Sequence, residues 1–229
     1  MSQDRINQNT TVTSSFIIHS VGGLDVIIAI EGIDGAGKNT LVSALVEKLD
    51  ATVIGFPRYA DSIHAQLAQR ALYGQMGDLT DSAYAMATLF ALDRYEALPQ
   101  LRSFVHKPSV LLLDRYVASN AAYSAARTQD AAMVDWVADL EFRQLGLPVP
   151  DLQVLLNTPP ELAAQRATMR EQQDENRVRD RYESDSRLQE RTAAMYQSLA
   201  ETNWFSPWVI AHPELSVAEI SERIVSAVL

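Results

Sequence analysis

The segment from Gly32 to Lys38, with the letters GIDGAGK, constrains the fold of this chain more than any other. It directly follows a short apolar run at 25–30 and precedes a stretch with helical spacing that begins near Asn39. A glycine-rich turn between a buried strand and a helix lets backbone amides surround phosphate oxygens, and a lysine at its end reaches the β- and γ-phosphates. The segment therefore predicts a phosphate-binding loop, or P-loop. A purely structural glycine turn is the alternative.

The residues after the lysine depart from the usual form of this motif. A serine or threonine that helps to hold magnesium normally comes next, whereas this chain has Asn39 and then Thr40. An asparagine oxygen can reach the ion or its water shell, so we expect Mg²⁺ together with ATP, and the hydroxyl role at this position stays open. The expected ATP-binding residues are Gly35, Ala36, Gly37, Lys38, Asn39 and Thr40.

Short apolar runs alternate with longer stretches of helical spacing along the chain. Runs that are apolar throughout are typical of parallel strands buried on both faces. The pattern predicts an α/β P-loop NTPase fold with about five parallel strands, helices on both faces of the sheet, and ligands at the carboxyl ends of the strands. Strands are expected at 25–30, 51–56, 109–113, 151–157 and 208–211. Helices are expected at about 38–49, 61–74, 80–105, 118–145, 159–172, 181–202 and 216–228.

Composition limits the class of protein. The 229 residues, 47% of them hydrophobic, predict one domain at 25–229 that follows a polar, flexible extension at 1–24. The formal charge of −10 disfavours nucleic acid and anionic membranes as partners. The chain has no cysteine and no apolar run as long as a membrane span, which predicts a soluble, cytoplasmic protein.

An acidic residue ends the third apolar run. Asp114 comes directly after 109–113, at the place where P-loop folds usually carry an acidic partner for magnesium. Capping of the next helix is the alternative role for this carboxylate. Arg115, which follows it, suits a second phosphate group.

Five segments of the chain resemble motifs of the thymidylate kinase family, in the family's order. They are EGIDGAGK, FPRY, FALDRYE, DRYVASNAAY and RVRDRYE, and the resemblance extends from about Val26 to Leu199. It is more specific than the P-loop, which unrelated functions share. The resemblance implies phosphoryl transfer from ATP to dTMP, giving dTDP, by a homodimer. The dimer contact would involve helices that contain 83–92 and 131–140, although core packing explains their apolar stripes equally well.

The resemblance assigns residues to the phosphate end of the acceptor. Asp34, inside the P-loop, would organise magnesium and the acceptor phosphoryl group, since a lone carboxylate beside phosphates needs a cation nearby. Tyr59 and Tyr182 would contact the acceptor nucleotide, Arg58 would help to position it, and Glu183 would join the magnesium network. A turn aspartate and an ordinary strand end are the alternatives for Asp34 and for Arg58 with Tyr59.

Four residues are candidates for reading the base and sugar. Phe90 and Arg94 are four residues apart on a predicted helix, so they share one face, where a ring can stack on a base and a guanidinium can bond to its edge. The resemblance implies that this base is thymine. It also implies that Asn120 pairs with the pyrimidine edge and that Tyr123 lies under the sugar, where a 2′-hydroxyl would be crowded. Ordinary packing is the alternative.

An arginine-rich stretch predicts a mobile lid. Seven arginines fall between 166 and 191 in an otherwise acidic chain, and 171–176 is polar without apolar periodicity. We expect a lid at about 166–181 that closes over the triphosphate. A solvated helix with ion pairs is the alternative for Arg187 and Arg191.

The lid arginines are also candidates for catalysis. The P-loop contains no arginine, so a guanidinium that stabilises the transferring group must come from elsewhere, as in the bacterial arrangement that this stretch resembles. The leading candidates are Arg170 and Arg177, ahead of Arg166 and Arg179.

The chemistry expected from these residues needs no strong base, because a phosphate monoester already carries an anionic oxygen. Positioning and charge neutralisation by Lys38, Arg115, lid arginines and magnesium suffice. The alternatives are a P-loop kinase for another nucleotide or a deoxynucleoside, and a non-kinase ATP-binding switch or adaptor. A deoxynucleoside kinase would need a base for a neutral hydroxyl, and the segment 56–58 has no acid at that place.

Overall fold

The structure is a computed structural model, and it describes residues 25–105, 109–173 and 180–228. The predicted N-terminal extension at 1–24 lies outside these ranges, as do Arg177 and Arg179, and the Arg170 side chain is likewise not described.

Five parallel strands form one sheet in the order β2-β3-β1-β4-β5, which confirms the predicted fold. The strands are β1 (Asp25–Glu31), β2 (Thr52–Gly55), β3 (Ser109–Asp114), β4 (Leu152–Leu156) and β5 (Trp208–Ala211). In the central strands, Ile30 pairs with Asp114 of β3 and Glu31 pairs with Leu155 of β4. The carboxyl ends of β1, β3 and β4 therefore meet at one edge of the sheet, where an open parallel sheet places its ligand.

The edge strands differ from the prediction. The central strands β1, β3 and β4 are buried, whereas three of the four residues of β2 are exposed and most of β5 is only partly buried. An edge strand has a neighbour on one side only, so less of its surface is covered.

The helices follow the strands in alternation. They are α1 (Lys38–Leu49), α2 (Ile63–Leu72), α3 (Ala83–Glu96), α4 (Leu98–Arg102), α5 (Val117–Thr128), α6 (Ala132–Ala138), α7 (Pro160–Gln173), α8 (Arg181–Ser184), α9 (Ser186–Glu201) and α10 (Val217–Val228). A 3₁₀ turn covers Leu79–Asp81 and a π-helical turn covers Asp139–Gln144. Within the described ranges, no helix is long and apolar enough to cross a membrane.

Three predicted helices are divided in the structure. The segment at 80–105 contains α3 and α4, which begins beside Pro99, a residue that suits the first turn of a helix. The segment at 118–145 contains α5, α6 and the π-helical turn, because α5 ends at the left-handed Gln129. The segment at 181–202 contains α8 and α9, since Asp185 accepts a hydrogen bond from Leu188 N at 3.0 Å and starts a new helix.

Helix α5 lies at the centre of the helical layer that carries residues predicted to bind the acceptor nucleotide. It packs against α3, α6 and α9. Its buried side chains are mostly small, with alanine at 118, 121, 122 and 125. Small side chains let neighbouring helices approach closely, so residues on α3 and α5 can reach one cavity.

Candidate active site

The P-loop is a tight turn that packs against α7. Gly35 has a φ of +85°, and a Cβ there would lie 2.2 Å from the backbone oxygen of Ala163 on α7. Gly37, with a φ of +101°, precedes α1 directly. Both conformations favour glycine, and the first also leaves no room for a side chain. The backbone can therefore curve around phosphate only because glycine stands at these positions.

Lys38 is folded onto its own loop. Its Nζ donates to the backbone oxygens of Gly32 at 3.1 Å and Ile33 at 3.0 Å, which leaves one of its three donors for a ligand. Burial, and next to it the charge of Arg115, lowers the pKa of Lys38 to about 8 against the opposing effect of Asp34.

A cleft lies over the P-loop and the first turn of α1. Five of the six residues predicted to bind ATP line it, namely Gly35, Gly37, Lys38, Asn39 and Thr40. Ala36 lines an adjoining cavity, and its backbone oxygen accepts hydrogen bonds from Thr158 Oγ1 at 3.0 Å and Arg166 Nη1 at 3.3 Å. The N-terminal amides of α1 and three cationic side chains, Lys38, Arg115 and Arg166, make this cleft suitable for a triphosphate.

Asp114 offers a place for a cation in the same cleft. Its Oδ1 is buried and has no hydrogen-bonding partner among the described residues. A buried carboxylate oxygen beside a phosphate site suits a hard cation such as Mg²⁺. In the described part of the chain, no cluster of three or more histidine, aspartate or glutamate side chains is arranged to hold a metal. One carboxylate oxygen of Asp114 leaves the other coordination positions of such an ion to phosphate oxygens and water.

A second cavity lies between the sheet edge and helices α3, α5 and α8. Nine of the residues predicted for the acceptor or the metal line it, and they are Asp34, Tyr59, Phe90, Arg94, Arg115, Asn120, Tyr123, Tyr182 and Glu183. We call this space the acceptor cavity. Phe56, Pro57 and Met86 contribute further apolar surface, which the sequence did not identify.

Arg58 is not brought into the acceptor cavity. Its Nε donates to Asp93 Oδ1 at 3.0 Å and its Nη2 donates to the backbone oxygen of Asp93 at 2.7 Å. Its backbone N–H also donates to Asp93 Oδ2 at 2.9 Å. Arg58 therefore fixes the end of β2 against α3, and its expected part in positioning the acceptor stays a prediction.

Asp34 and Arg115 stand where the cleft and the acceptor cavity meet, because both residues line both spaces. Arg115 Nη2 donates to Asp34 Oδ1, and Tyr123 Oη donates to Asp34 Oδ2 at 2.8 Å. Burial alone would raise the pKa of Asp34, but the charges of Arg115 and Lys38 and these hydrogen bonds outweigh it and lower the pKa to about 2. Asp34 is therefore ionised at neutral pH.

Arg115 is held by a buried network that sequence reasoning missed. Its backbone has a φ of 65°, and its Nη1 donates to Gly32 O at 3.0 Å and to Ser119 Oγ at 3.3 Å. Glu31, which is fully buried, accepts from Ser119 Oγ at 2.7 Å and from Tyr196 Oη at 3.0 Å. Burial raises the pKa of Glu31. A glutamate that ends an otherwise apolar strand was the available signal.

The far end of the acceptor cavity carries the base-reading candidates. Phe90, Arg94 and Asn120 line it together. Arg94 Nη2 donates to Glu141 Oε1 at 2.8 Å, and Asn120 Nδ2 donates to the same oxygen at 2.7 Å. Sequence reasoning missed Glu141 because no motif surrounds it.

Tyrosines and acids line the side of the cavity at the start of α8. The Tyr182 ring stacks on the Tyr123 ring with the centroids 6.1 Å apart, and Arg127 Nη1 donates to its hydroxyl. Asp180 caps α8 by accepting from the backbone N–H groups of Tyr182 at 2.7 Å and Glu183 at 2.9 Å. The cap fixes both side chains at the cavity wall.

Three of the arginines between 166 and 191, namely Arg166, Arg181 and Arg191, differ in position. Arg166 lines the cleft. Arg181 forms an exposed ion pair with Asp81, and Arg191 Nε donates to the backbone oxygen of Ala126 on α5 at 2.9 Å. Among these three residues, Arg166 is placed to meet a triphosphate.

Comparisons with known proteins agree with this geometry. The family model described as thymidylate kinase matches residues 30–224. The thymidylate kinase of Mycobacterium tuberculosis is 47% identical over 206 residues, which cover 86% of this chain and 96% of that protein. The solved thymidylate kinase of Candida albicans is similar with a TM-score of 0.70 at 22% identity, covering 89% of this chain and 91% of that one. A deoxyadenosine kinase from M. mycoides gives 0.63 at 18% identity, covering 88% and 97%. At these identities the two structures support the fold alone.

Proposed function

The chain belongs to the thymidylate kinase family and phosphorylates dTMP with ATP as the donor, and we propose that its two adjoining spaces divide this work. The cleft over the P-loop takes ATP, and the acceptor cavity takes dTMP. Family membership favours this activity over another nucleotide kinase and over a switch or adaptor.

The observation that carries the proposal is the shared wall of the two spaces. Asp34 and Arg115 line both, so the γ-phosphate of a donor and the phosphate of an acceptor meet beside them. A geometry that holds two reacting groups in contact lowers the barrier without a covalent intermediate on the enzyme.

Charge neutralisation accounts for the remaining chemistry. The acceptor phosphate oxygen attacks the γ-phosphorus, the bond to the β-phosphate oxygen breaks, and ADP and dTDP result. Lys38 and Arg115 supply positive charge at the site, and Asp34 orients Arg115 through their ion pair. Asp114, with Asp34 and Glu183 near the acceptor phosphate, would hold Mg²⁺, which supplies charge neutralisation for the phosphate oxygens.

The base and sugar contacts belong to the same proposal. Phe90 stacks on thymine, Arg94 and Asn120 bond to its edge, and Tyr59, Tyr123 and Tyr182 surround the sugar and phosphate. All six residues line the acceptor cavity, which supports these roles.

The lid and the assembly complete the proposal. Arg170 and Arg177 remain our candidates for stabilising the transferring phosphoryl group. Arg166 lines the cleft over the P-loop, which supports a lid that closes over the triphosphate.

A homodimer through α3 and α6 is supported by Tyr84, which is 51% exposed and packs edge-on against Trp136 of α6. We also propose the cytoplasm as the location, since a chain without cysteine suits a reducing compartment.

The decisive experiment measures ADP formation with MgATP and, separately, dTMP, dUMP, dCMP, AMP, GMP or thymidine. Lys38→Ala provides the background rate. We expect strong turnover with dTMP that the variant loses. Preference for another monophosphate would overturn the assigned base site, and ATP hydrolysis that no acceptor changes would favour a switch or adaptor.

A further inference from the structure

Glu141 is a fully buried carboxylate that contacts two of the base-reading candidates, Arg94 and Asn120. It lies in the π-helical turn Asp139–Gln144, which follows α6. Its Oε1 accepts from Arg94 Nη2 at 2.8 Å and from Asn120 Nδ2 at 2.7 Å, and its Oε2 accepts from Arg94 Nε. Single-turn π-helical insertions are frequent at functional sites. One carboxylate therefore connects two side chains that line the acceptor cavity.

The Asn120 amide has only one orientation that satisfies its neighbours. Its Nδ2 donates to the backbone oxygen of Ala87 at 2.9 Å and to Glu141 Oε1 at 2.7 Å. A flipped amide would place Oδ1 against these two acceptors, so both hydrogen bonds would be lost in a buried place. The Asn120 amide is therefore locked with Oδ1 as its acceptor, which takes a hydrogen bond from Ser124 Oγ at 3.3 Å and keeps a second lone pair for a ligand.

Glu141 also sets which donors of Arg94 remain. Nε and Nη2 point at the Glu141 carboxylate, while Nη1 makes no hydrogen bond within the described residues. Burial opposes the charge of Arg94, but Glu141 outweighs it and raises the pKa of Arg94, so the guanidinium stays charged and donates only. The cavity wall thus presents one donor from Arg94 and one acceptor from Asn120.

We propose that Glu141 is a positioning residue that fixes this donor and acceptor order and thereby excludes cytosine. The inference rests on the proposed dTMP site. Thymine and uracil present a carbonyl acceptor, O4, beside a donor, N3–H. These two groups match the donor of Arg94 and the acceptor of Asn120. Cytosine presents an amino donor beside the N3 acceptor, which places donor against donor and acceptor against acceptor. A site whose buried polar groups are left unpaired by the wrong substrate discriminates strongly.

Stability gives a weaker explanation for this carboxylate. A buried ion pair costs desolvation that its attraction only roughly offsets, so apolar residues of similar volume would stabilise the fold as well or better. Glu141 accepts hydrogen bonds from two side chains that line the cavity, which is the arrangement that substrate specificity requires.

The test compares kcat/KM for dTMP, dUMP and dCMP in the wild type and in Glu141→Gln. The amide that Glu141→Gln introduces keeps one oxygen to accept from Arg94 and can turn its N–H group towards Asn120, so the Asn120 amide can turn its own N–H groups to the base. We expect the ratio of dTMP to dCMP to fall by about tenfold or more, as for one or two hydrogen bonds. The ratio of dTMP to dUMP is expected to stay unchanged, because both bases present the same edge.

Asp139→Asn is the matched control. It makes the same change from acid to amide in the same π-helical turn, but Asp139 is 42% exposed and pairs with Arg143. All three substrates are expected to behave as in the wild type. Two results would show that Glu141 only supports the fold and that the inference is wrong. In the first, Glu141→Gln lowers kcat/KM for all three substrates by the same factor. In the second, the ratio of dTMP to dUMP falls as much as the ratio of dTMP to dCMP.

A second pair of variants keeps the test decisive if Glu141→Gln does not fold. Removing both members of a buried ion pair is tolerated better than removing one. Arg94→Met with Glu141→Met is therefore compared with Arg94→Met alone, in which Glu141 still holds Asn120. The double variant is expected to discriminate less against dCMP, and equal discrimination would overturn the inference. A wild type that does not phosphorylate dTMP would instead overturn the proposed function.

Discussion

At the residue scale, the hydroxyl of Tyr123 completes the environment of Asp34. It donates to Asp34 Oδ2 at 2.8 Å, while Arg115 holds the other carboxylate oxygen. Tyr123→Phe removes this donor and keeps the ring that stacks on Tyr182. Since a hydrogen bond to a charged group contributes about 1.5 kcal/mol or more, kcat/KM for dTMP is expected to fall about tenfold.

The measurement for Tyr123→Phe is steady-state kinetics with dTMP varied at saturating MgATP. Tyr95→Phe removes a hydroxyl from an exposed tyrosine at the end of α3 and serves as the control. A Tyr123→Phe enzyme as active as this control would show that the hydrogen bond to Asp34 contributes nothing to phosphoryl transfer.

The lowered pKa of Lys38, about 8, predicts a pH dependence. The folded enzyme without ATP loses this proton as the pH rises through about 8, so kcat/KM for MgATP is expected to fall above that pH. Bound phosphates favour the ammonium, so kcat is expected to fall only at higher pH, because kcat/KM reports the free enzyme and kcat the complex. A kcat/KM profile that stays flat from pH 7 to about 10 would contradict this assignment.

The same shift has a consequence for stability. The ordinary pKa of lysine is 10.5, so folding disfavours the protonated form of Lys38. The resulting cost in the free energy of folding is complete below pH 8 and is relieved as the pH rises towards 10.5.

Sequence reasoning identified residues that line the two spaces and missed the buried residues that hold them in place. Asp34, Arg115 and Asn120 stand in motifs, so their place in the cavities followed from pattern and resemblance. Glu31 and Glu141 act through contacts at sequence separations of 88 and 47 residues, to Ser119 and Arg94. Such contacts depend on how the helices pack, and no local spacing encodes them.

At the element scale, the contact between the P-loop and α7 predicts a steric limit at Gly35. A methyl group there would lie 2.2 Å from Ala163 O, so the loop or α7 must move. A shift of about 1 Å at a reacting site can cost about 100-fold in rate, so Gly35→Ala is expected to lose at least this much in kcat/KM for ATP. Kinetics and thermal unfolding of the variant are the measurements.

Gly74→Ala separates the clash from backbone strain. Gly74 has a φ of +73°, similar to that of Gly35, but nothing lies within 4 Å of its added Cβ. We expect it to lose about 1 to 2 kcal/mol of stability and to keep its activity. Equal losses of activity in both variants would mean that the contact with α7 is unimportant.

The central strands were easier to predict than the helix boundaries. Their apolar runs are complete because both faces are covered, whereas β2 and β5 lie at the edges and are less buried. The division of 118–145 depends on Gln129 in a left-handed conformation and on Asp130 Oδ1, which accepts from Ala132 N at 2.9 Å. No glycine or proline marks that break in the sequence.

At the scale of the whole molecule, the order of strands and helices followed from alternation alone, because parallel strands need helical crossovers. The meeting of the cleft and the acceptor cavity did not follow from it. The meeting point depends on Arg115, whose left-handed backbone and contacts with Gly32 and Asp34 turn it between them. The sequence indicated a phosphate role for this residue but not its position between the cleft and the acceptor cavity.

The proposed homodimer predicts an interface at the surface of α3 and α6. Tyr84 of α3 is half-exposed and packs against Trp136 of α6, which joins the two helices into one aromatic surface. Buried aromatic anchors contribute most of the binding energy of an interface, and a charge in their place leaves an unpaired ion there. Tyr84→Lys is therefore expected to shift the protein from about twice the chain mass of 25.4 kDa to the mass of the monomer in sedimentation equilibrium.

Val53→Lys, which places the same charge on the exposed part of β2, is the control and is expected to stay a dimer. A wild type that sediments as a monomer, or a Tyr84→Lys protein that remains a dimer, would show that this surface is not the interface.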